Sequence, residues 1–170
     1  MLNGERWELI EGELLGKMPK KRPHVQVLAI LTGWLMAIFG GRVNMGAPID
    51  VAPEDNPTSE PSPDLIVLRR DYGDPWKTTP QTQDVLLAIE VSDTTFDFDS
   101  TVKAGLYARA GLHEYWVVDL NGRRLIVHRD PADGRYQSIA AYGEGEVVSP
   151  LAAPEAVFQV GRVFGEWETH

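Results

Sequence analysis

The run Val85-Leu86-Leu87-Ala88-Ile89-Glu90-Val91 constrains the fold of this chain more than any other stretch. It is apolar at consecutive positions, the pattern of a central strand covered on both faces rather than of a strand with one wet side. Glu90 interrupts it near its end. A carboxylate in such a strand is costly unless something pairs with it, and a divalent cation shared with a second carboxylate is one of the few adequate partners. Asp64, which follows Pro63 and opens the strand-like run Asp64-Leu65-Ile66-Val67-Leu68, is the candidate for that second acid. Both are therefore candidate ligands of Mg2+ or Mn2+, hard cations that take carboxylate and water oxygens. Asp64 also reads as an ordinary strand-opening residue behind a proline, whereas a purely structural Glu90 would still need a partner.

Lys103 lies on an expected helix beyond the second strand. Because Asp99 precedes it by one helical turn, the two read first as an ion pair on an exposed face. A helix that follows a metal-bearing strand can also project a cation back over the metal. There Lys103 would orient or deprotonate a water and stabilise charge on a phosphate, with Tyr107 on the same face. Glu11 and Glu13 flank a turn and read as solvated, with a role as a third acid near a metal left open. His24 reads as a capping or packing residue, and His113, His128 and His170 lack metal-ligand spacing. The sequence holds no glycine-rich phosphate loop, nucleophile elbow or zinc signature, so those reaction classes lose weight.

With 170 residues, 43% of them hydrophobic, the chain is expected to form one domain, residues 1–170, around a real core. Its apolar stretches read as too short to cross a membrane, its start lacks the character of a secretory signal, and it has no cysteine. The expected location is the cytoplasm, and any metal must be held by oxygen or histidine. A net charge of −9 and a pI near 4.9 argue against non-specific coating of nucleic acid. They leave room for a basic cleft, since screening over about 8 Å separates it from an acidic far side. The densest basic cluster, Lys17, Lys20, Lys21 and Arg22, reads as a solvated loop.

The remaining elements follow from period and punctuation. Trp7-Glu8-Leu9-Ile10 and Leu14-Leu15 form a hairpin about Gly12, and His24 to Phe39 is a helix stopped by Gly40-Gly41. Val43 to Val51 alternates as a half-buried strand, and Glu54 to Ser62 is a loop. The segment Asp71 to Asp84 is long for a hairpin and reads as a flap beside the site. Ser100 is the expected N-cap of a helix that runs to Ala110 and stops at Gly111. Tyr115 to Val118 and Leu125 to Val127 form a hairpin about Asn121-Gly122, and the tail from Tyr136 reads as short strands. This order predicts an α/β (mixed α+β) domain: a mixed central sheet flanked by helices, with additional β-hairpins. The apolar hairpin around Trp116 makes a homodimer a reasonable expectation.

Several stretches occur together in one order. They are Pro63-Asp64-Leu65-Ile66-Val67, then Glu90-Val91-Ser92 with Thr94-Thr95, then Asp99, Lys103 and Tyr107-Ala108, and finally Gly111 to Asp119. With Glu8-Leu9-Ile10-Glu11-Gly12-Glu13-Leu14 and His24, they resemble the Uma-two family of restriction endonucleases, over almost the whole chain from Arg6 to Phe164. That family lies in the PD-(D/E)XK nuclease superfamily, so the resemblance implies a restriction-endonuclease-like core. It also implies Mg2+-dependent (or Mn2+-dependent) hydrolysis of phosphodiester bonds in nucleic acid, with DNA as the expected substrate. The metal ligands it implies are Asp64, Glu90 and the carbonyl of Val91. Ser92 stands where the superfamily pattern has lysine, and the resemblance moves the catalytic cation to Lys103. The alternative is a catalytically inactive nuclease fold kept as a binding or regulatory module, which Ser92 and the acidic charge favour.

Overall fold

The computed structural model describes residues 6–17, 21–71 and 79–165. Its first element is the expected hairpin, β1 (Arg6–Ile10) with β2 (Glu13–Lys17), turned at Glu11 and Gly12 in left-handed backbone. Helix α1 (Arg22–Phe39) buries Val27, Leu31, Leu35 and Phe39, a stripe at spacings of four, and ends at Gly40. Then come β3 (Val43–Met45), β4 (Leu65–Leu68) and β5 (Val85–Ser92). A helical stretch follows in three joined pieces: α2 (Phe96–Phe98), a π-helical turn (Asp99–Lys103) and α3 (Ala104–Arg109). The chain closes with β6 (Glu114–Asp119), β7 (Arg124–Ala132), β8 (Arg135–Gly143), β9 (Val147–Val148) and β10 (Phe158–Gln159).

Strands β3 to β8 form one six-stranded sheet in sequence order, with β5 and β6 parallel and every other pair antiparallel. This is the mixed, helix-flanked sheet expected from the sequence. Side chains alternate across it. Leu87, Ile89 and Val91 join Leu65, Val67, Trp116 and Val118 beneath α1, while Ala88, Ile66, Tyr115 and Val117 pack beneath Leu106 and Tyr107 of α3. Glu90 and Ser92 share the parity of Ala88, and Asp64 that of Ile66. All three therefore belong to the α3 side.

Several expectations need correction. Residues Arg22–Arg42 are, by length and composition, long and apolar enough to cross a membrane, contrary to the sequence reading; packing accounts for that apolarity, since one stripe of α1 seals the sheet. The expected strand Val43 to Val51 stops at Met45, because Gly46 takes a φ of +58° and the Arg6 guanidinium donates to its carbonyl at 2.7 Å. A side chain at Gly46 would meet that guanidinium. Ile49 and Val51 are still buried, so alternation reported burial where it failed to report pairing. The expected flap falls partly on residues 72–78, outside the described residues. The described ends of that connection leave β4 and β5 at Leu68 and Val85, the end of these strands opposite Asp64 and Glu90.

Ser100 is not an N-cap. The helix begins earlier, at Phe96, and the Ser100 hydroxyl donates to the Phe96 carbonyl at 2.6 Å from within it. Gly111 does end it, at φ +77°. The β6–β7 hairpin does turn about Asn121-Gly122, in a four-residue loop: Asp119 pairs with Arg124, and Arg123 within the loop is left-handed. A tighter, two-residue turn is Asp133-Gly134 between β7 and β8, both residues left-handed as that geometry requires. Trp116 is fully buried, its ring 6.3 Å from that of Trp34 on α1, which removes the physical ground for a dimer through that hairpin.

Candidate active site

Register places Asp64 beside Glu90. In the β4–β5 ladder Leu65 lies opposite Ile89 and Ile66 opposite Ala88, so the next step along it sets Asp64 opposite Glu90. The ladder then gives way to a side chain: Asp64 Oδ2 accepts the Val91 amide at 2.8 Å. Glu90 in turn meets Lys103, whose Nζ donates to Glu90 Oε1 at 2.5 Å. The three residues singled out in the sequence thus converge, although they come from two strands and a helix.

Lys103 does not sit on an exposed face. Its side chain is 0% exposed, and the contact to Asp99 at 3.9 Å is longer than those to Glu90 and to Glu8 Oε1, at 2.5 and 3.0 Å. Burial disfavours the ammonium, but Glu90, with Tyr107, Glu8 and Asp99, outweighs that and holds Lys103 well above the usual lysine range. Burial pushes the Glu90 carboxyl up to about 8, against the downward pull of Lys103 and Lys17. Glu90 is thus an acid whose ionisation depends on nearby positive charge. Tyr107 is buried against this group, and its hydroxyl has no hydrogen-bond partner among the described residues.

The π-helical turn holds the other acid, Asp99. Its Oδ2 accepts the hydroxyls of Ser92 at 2.5 Å and Thr95 at 2.7 Å, and its carbonyl accepts Tyr115 Oη at 2.9 Å. Ser92, where the resemblance led to an expectation of lysine, is therefore a buried clamp on Asp99. A wider helical turn at this point sets Asp99 and Lys103 on the sheet side together, as such turns often do at functional sites.

Three participants escaped the sequence reading. Glu8, on β1, is buried; Oε1 accepts the Ser62 amide at 3.2 Å and Oε2 accepts Lys103 Nζ at 3.2 Å. Lys17, assigned to a solvated basic loop, lies at the end of β2, where its Nζ donates to the Ser62 carbonyl. That Nζ is 3.9 Å from Glu8 Oε2, 3.8 Å from Asp64 Oδ1 and 3.8 Å from Glu90 Oε2. His24 caps nothing, since α1 has no side-chain cap; its Nε2 lies 3.6 Å from Asp64 Oδ2. The available signal for Glu8 was parity: Glu8 and Ile10 face inward from β1 while Leu9 does not. Nothing local marked Lys17.

Glu8, Lys17, His24, Asp64, Glu90 and Asp99 line a cleft of about 500 Å3 with Glu13, Lys21, Asp93, Thr94 and Phe98, while Lys103 lies behind it. Glu11 lies elsewhere, 3.5 Å from Arg109, and His128 is enclosed between Tyr115 and Tyr136. His113 is exposed, and Lys20 and His170 lie outside the described residues. Glu8, Asp64, Glu90 and Asp99 face two lysines, so the fully ionised cluster is two charges short of neutral. Hard oxygen donors with that deficit fit a divalent cation. No acidic or histidine trio among the described residues is tight enough to hold an ion as it stands. The array would have to contract around one, from the 3.8–3.9 Å it keeps from Lys17 Nζ to about 2.1 Å.

Residues 1–161 match the model of the Uma2 family, described as "Putative restriction endonuclease". The chain belongs to that family. Its fold is similar to that of a crystal structure described as a putative nuclease belonging to DUF820 from Anabaena variabilis ATCC 29413. The two share 13% identity over 93% of this chain and 89% of the other, with a TM-score of 0.67, so the likeness is one of fold. No curated protein matches the chain. Uma2 membership and the nuclease-like fold place the chain coarsely among nucleases, and the sequence resemblance is borne out at that level.

Proposed function

We propose that this Uma2 chain is an endonuclease that hydrolyses phosphodiester bonds with Mg2+ or Mn2+, and that its substrate is DNA. One observation carries the reading: carboxylate oxygens of Glu8, Asp64 and Glu90 surround a single cation position, near-equidistant from it, at a cleft. Asp64, Glu90 and Glu8 would hold the ion. The Val91 carbonyl is a further candidate ligand: the Ser92 carbonyl accepts the Leu120 amide on the β6 side, so alternation turns that of Val91 toward β4 and Asp64. A divalent ion supplies Lewis acidity toward the phosphoryl group and makes a water acidic enough to attack it.

The chain's own residues do the rest. Lys103, shut away from solvent, is a positioning residue: it locks Glu90 and Glu8 in place and compensates their charge from behind. Asp64 is fixed by the Val91 amide, with His24 at its side. The leaving oxygen takes its proton from solvent. The description of the family as restriction endonucleases supports DNA over RNA in this reading.

Plasmid and linear DNA, with an RNA control, incubated with Mg2+ or Mn2+ test this directly. Asp64→Asn keeps an acceptor for the Val91 amide and should lower the cleavage rate on the order of 10³-fold, and chelation should abolish it. Cleavage by the variant at the wild-type rate would overturn the assignment.

A further inference from the structure

The position around which the three carboxylates gather is already held by a cation of the chain itself. The Lys17 ammonium is nearly equidistant from Glu8 Oε2, Asp64 Oδ1 and Glu90 Oε2, at 3.9, 3.8 and 3.8 Å. These separations exceed hydrogen-bond length, and among the described residues its one short contact is to a neutral acceptor, the Ser62 carbonyl. Lys17 is thus held in the array by charge more than by directed bonds. We propose that Lys17 is a tethered placeholder for the divalent cation: its ammonium keeps the acid array assembled and yields that place when the ion binds. The inference rests on the metal-site reading above and deepens it.

The two lysines of the site differ in the way this requires. Lys103 is 0% exposed, joined to Glu90 at 2.5 Å and to Glu8 at 3.0 Å, and comes from a helix packed on the sheet. Lys17 is 16% exposed, lines the cleft, and comes from a two-stranded hairpin outside the six-stranded sheet. Its flexible four-carbon stem can swing outward without disturbing the core, which the buried Lys103 cannot do. An ion bound at about 2.1 Å to the same oxygens could not share the centre with an ammonium. The doubly charged ion and the ammonium repel strongly at so short a range, so one of them must leave. As it stands the array is too wide for an ion among the described residues, so the oxygens must close in when one binds. Once displaced, Lys17 stays at the cleft wall, where a phosphate is its natural partner.

Titration of the full chain with Mn2+, read by calorimetry and by the metal-dependent rise in Tm, tests this without any cleavage assay. Lys17→Met keeps the length of the stem and removes its charge. It should bind Mn2+ at least about tenfold more tightly than the wild type, and its metal-free form should melt earlier. Lys17→Gln should show the same gain, which keeps the test decisive if the methionine variant folds poorly. Mn2+ affinity left unchanged or weakened in these variants would overturn the placeholder role alone. Absence of Mn2+ binding in every form, wild type included, would overturn the metal reading as well.

Discussion

Two carboxylates are buried in adjacent strands of this sheet, and their surroundings teach opposite lessons. Glu114, at the start of β6, is closed on all sides: Oε2 accepts Trp116 Nε1 at 2.9 Å and Arg129 Nε at 2.7 Å, and Oε1 accepts the Leu151 amide at 2.9 Å. Glu90, near the end of β5, is bound from behind by Lys103, and its Oε2 looks into the cleft at Lys17, 3.8 Å away. The first is part of the frame, its hydrogen-bonding capacity taken up by the protein. The second keeps an oxygen at a cleft and has its carboxyl pushed up to about 8 by burial, so it calls for positive charge. Burial alone does not distinguish a structural acid from a chemical one; what remains for the acid to bind does.

The contrast can be broken from either end. Glu114→Ala should be the most damaging, because it strips Arg129, the Trp116 indole and the Leu151 amide of one shared acceptor. A loss of about 3–5 kcal/mol in denaturant unfolding is expected, with added Mn2+ restoring none of it. Lys103→Met should cost less, about 1–3 kcal/mol, because the abandoned Glu90 carboxyl can take up a proton instead of remaining a buried charge. Mn2+ should recover part of that loss, and a Lys103→Met variant as unstable as Glu114→Ala under all conditions would erase the distinction.

The smallest effect sharpens the comparison through pH. His128, enclosed between Tyr115 and Tyr136 with Nδ1 3.1 Å from the Tyr115 carbonyl, has its pKa lowered by burial. The unfolded chain then binds a proton that the folded chain refuses. Stability is therefore full above the ordinary value near 6.5 and falls as pH drops through it toward the folded value. His128→Phe should flatten that acid limb in Tm-against-pH curves; an unchanged limb would assign it to other groups.

Much of the frame was legible in the sequence because it depends on local period and punctuation. The uninterrupted apolar run at Val85 to Val91 marked the central strand, and spacings of three and four marked α1. Glu90 stood out for the same reason, a charge where the pattern demands none. The errors were equally local. Alternation through Ile49 and Val51 recorded burial but not the break at Gly46, and a serine suited to capping was placed at Ser100, inside the helix. Asn121-Gly122 did mark the β6–β7 hairpin, while the tighter turn at Asp133-Gly134 went unmarked.

The sequence by itself determined which side chains are apolar, with what period, and therefore which segments become strands and helices and which acids end up buried. Only the tertiary structure decided what those acids face. Glu8 and Lys17 belong to a hairpin outside the main sheet, and they reach Asp64, Glu90 and Lys103 across separations in sequence that no local pattern encodes. The charge state and partners of a buried carboxylate depend on distances of a few ångströms between distant segments. Folding sets those distances, so Lys17 passed for a loop residue until the fold placed its ammonium among the acids.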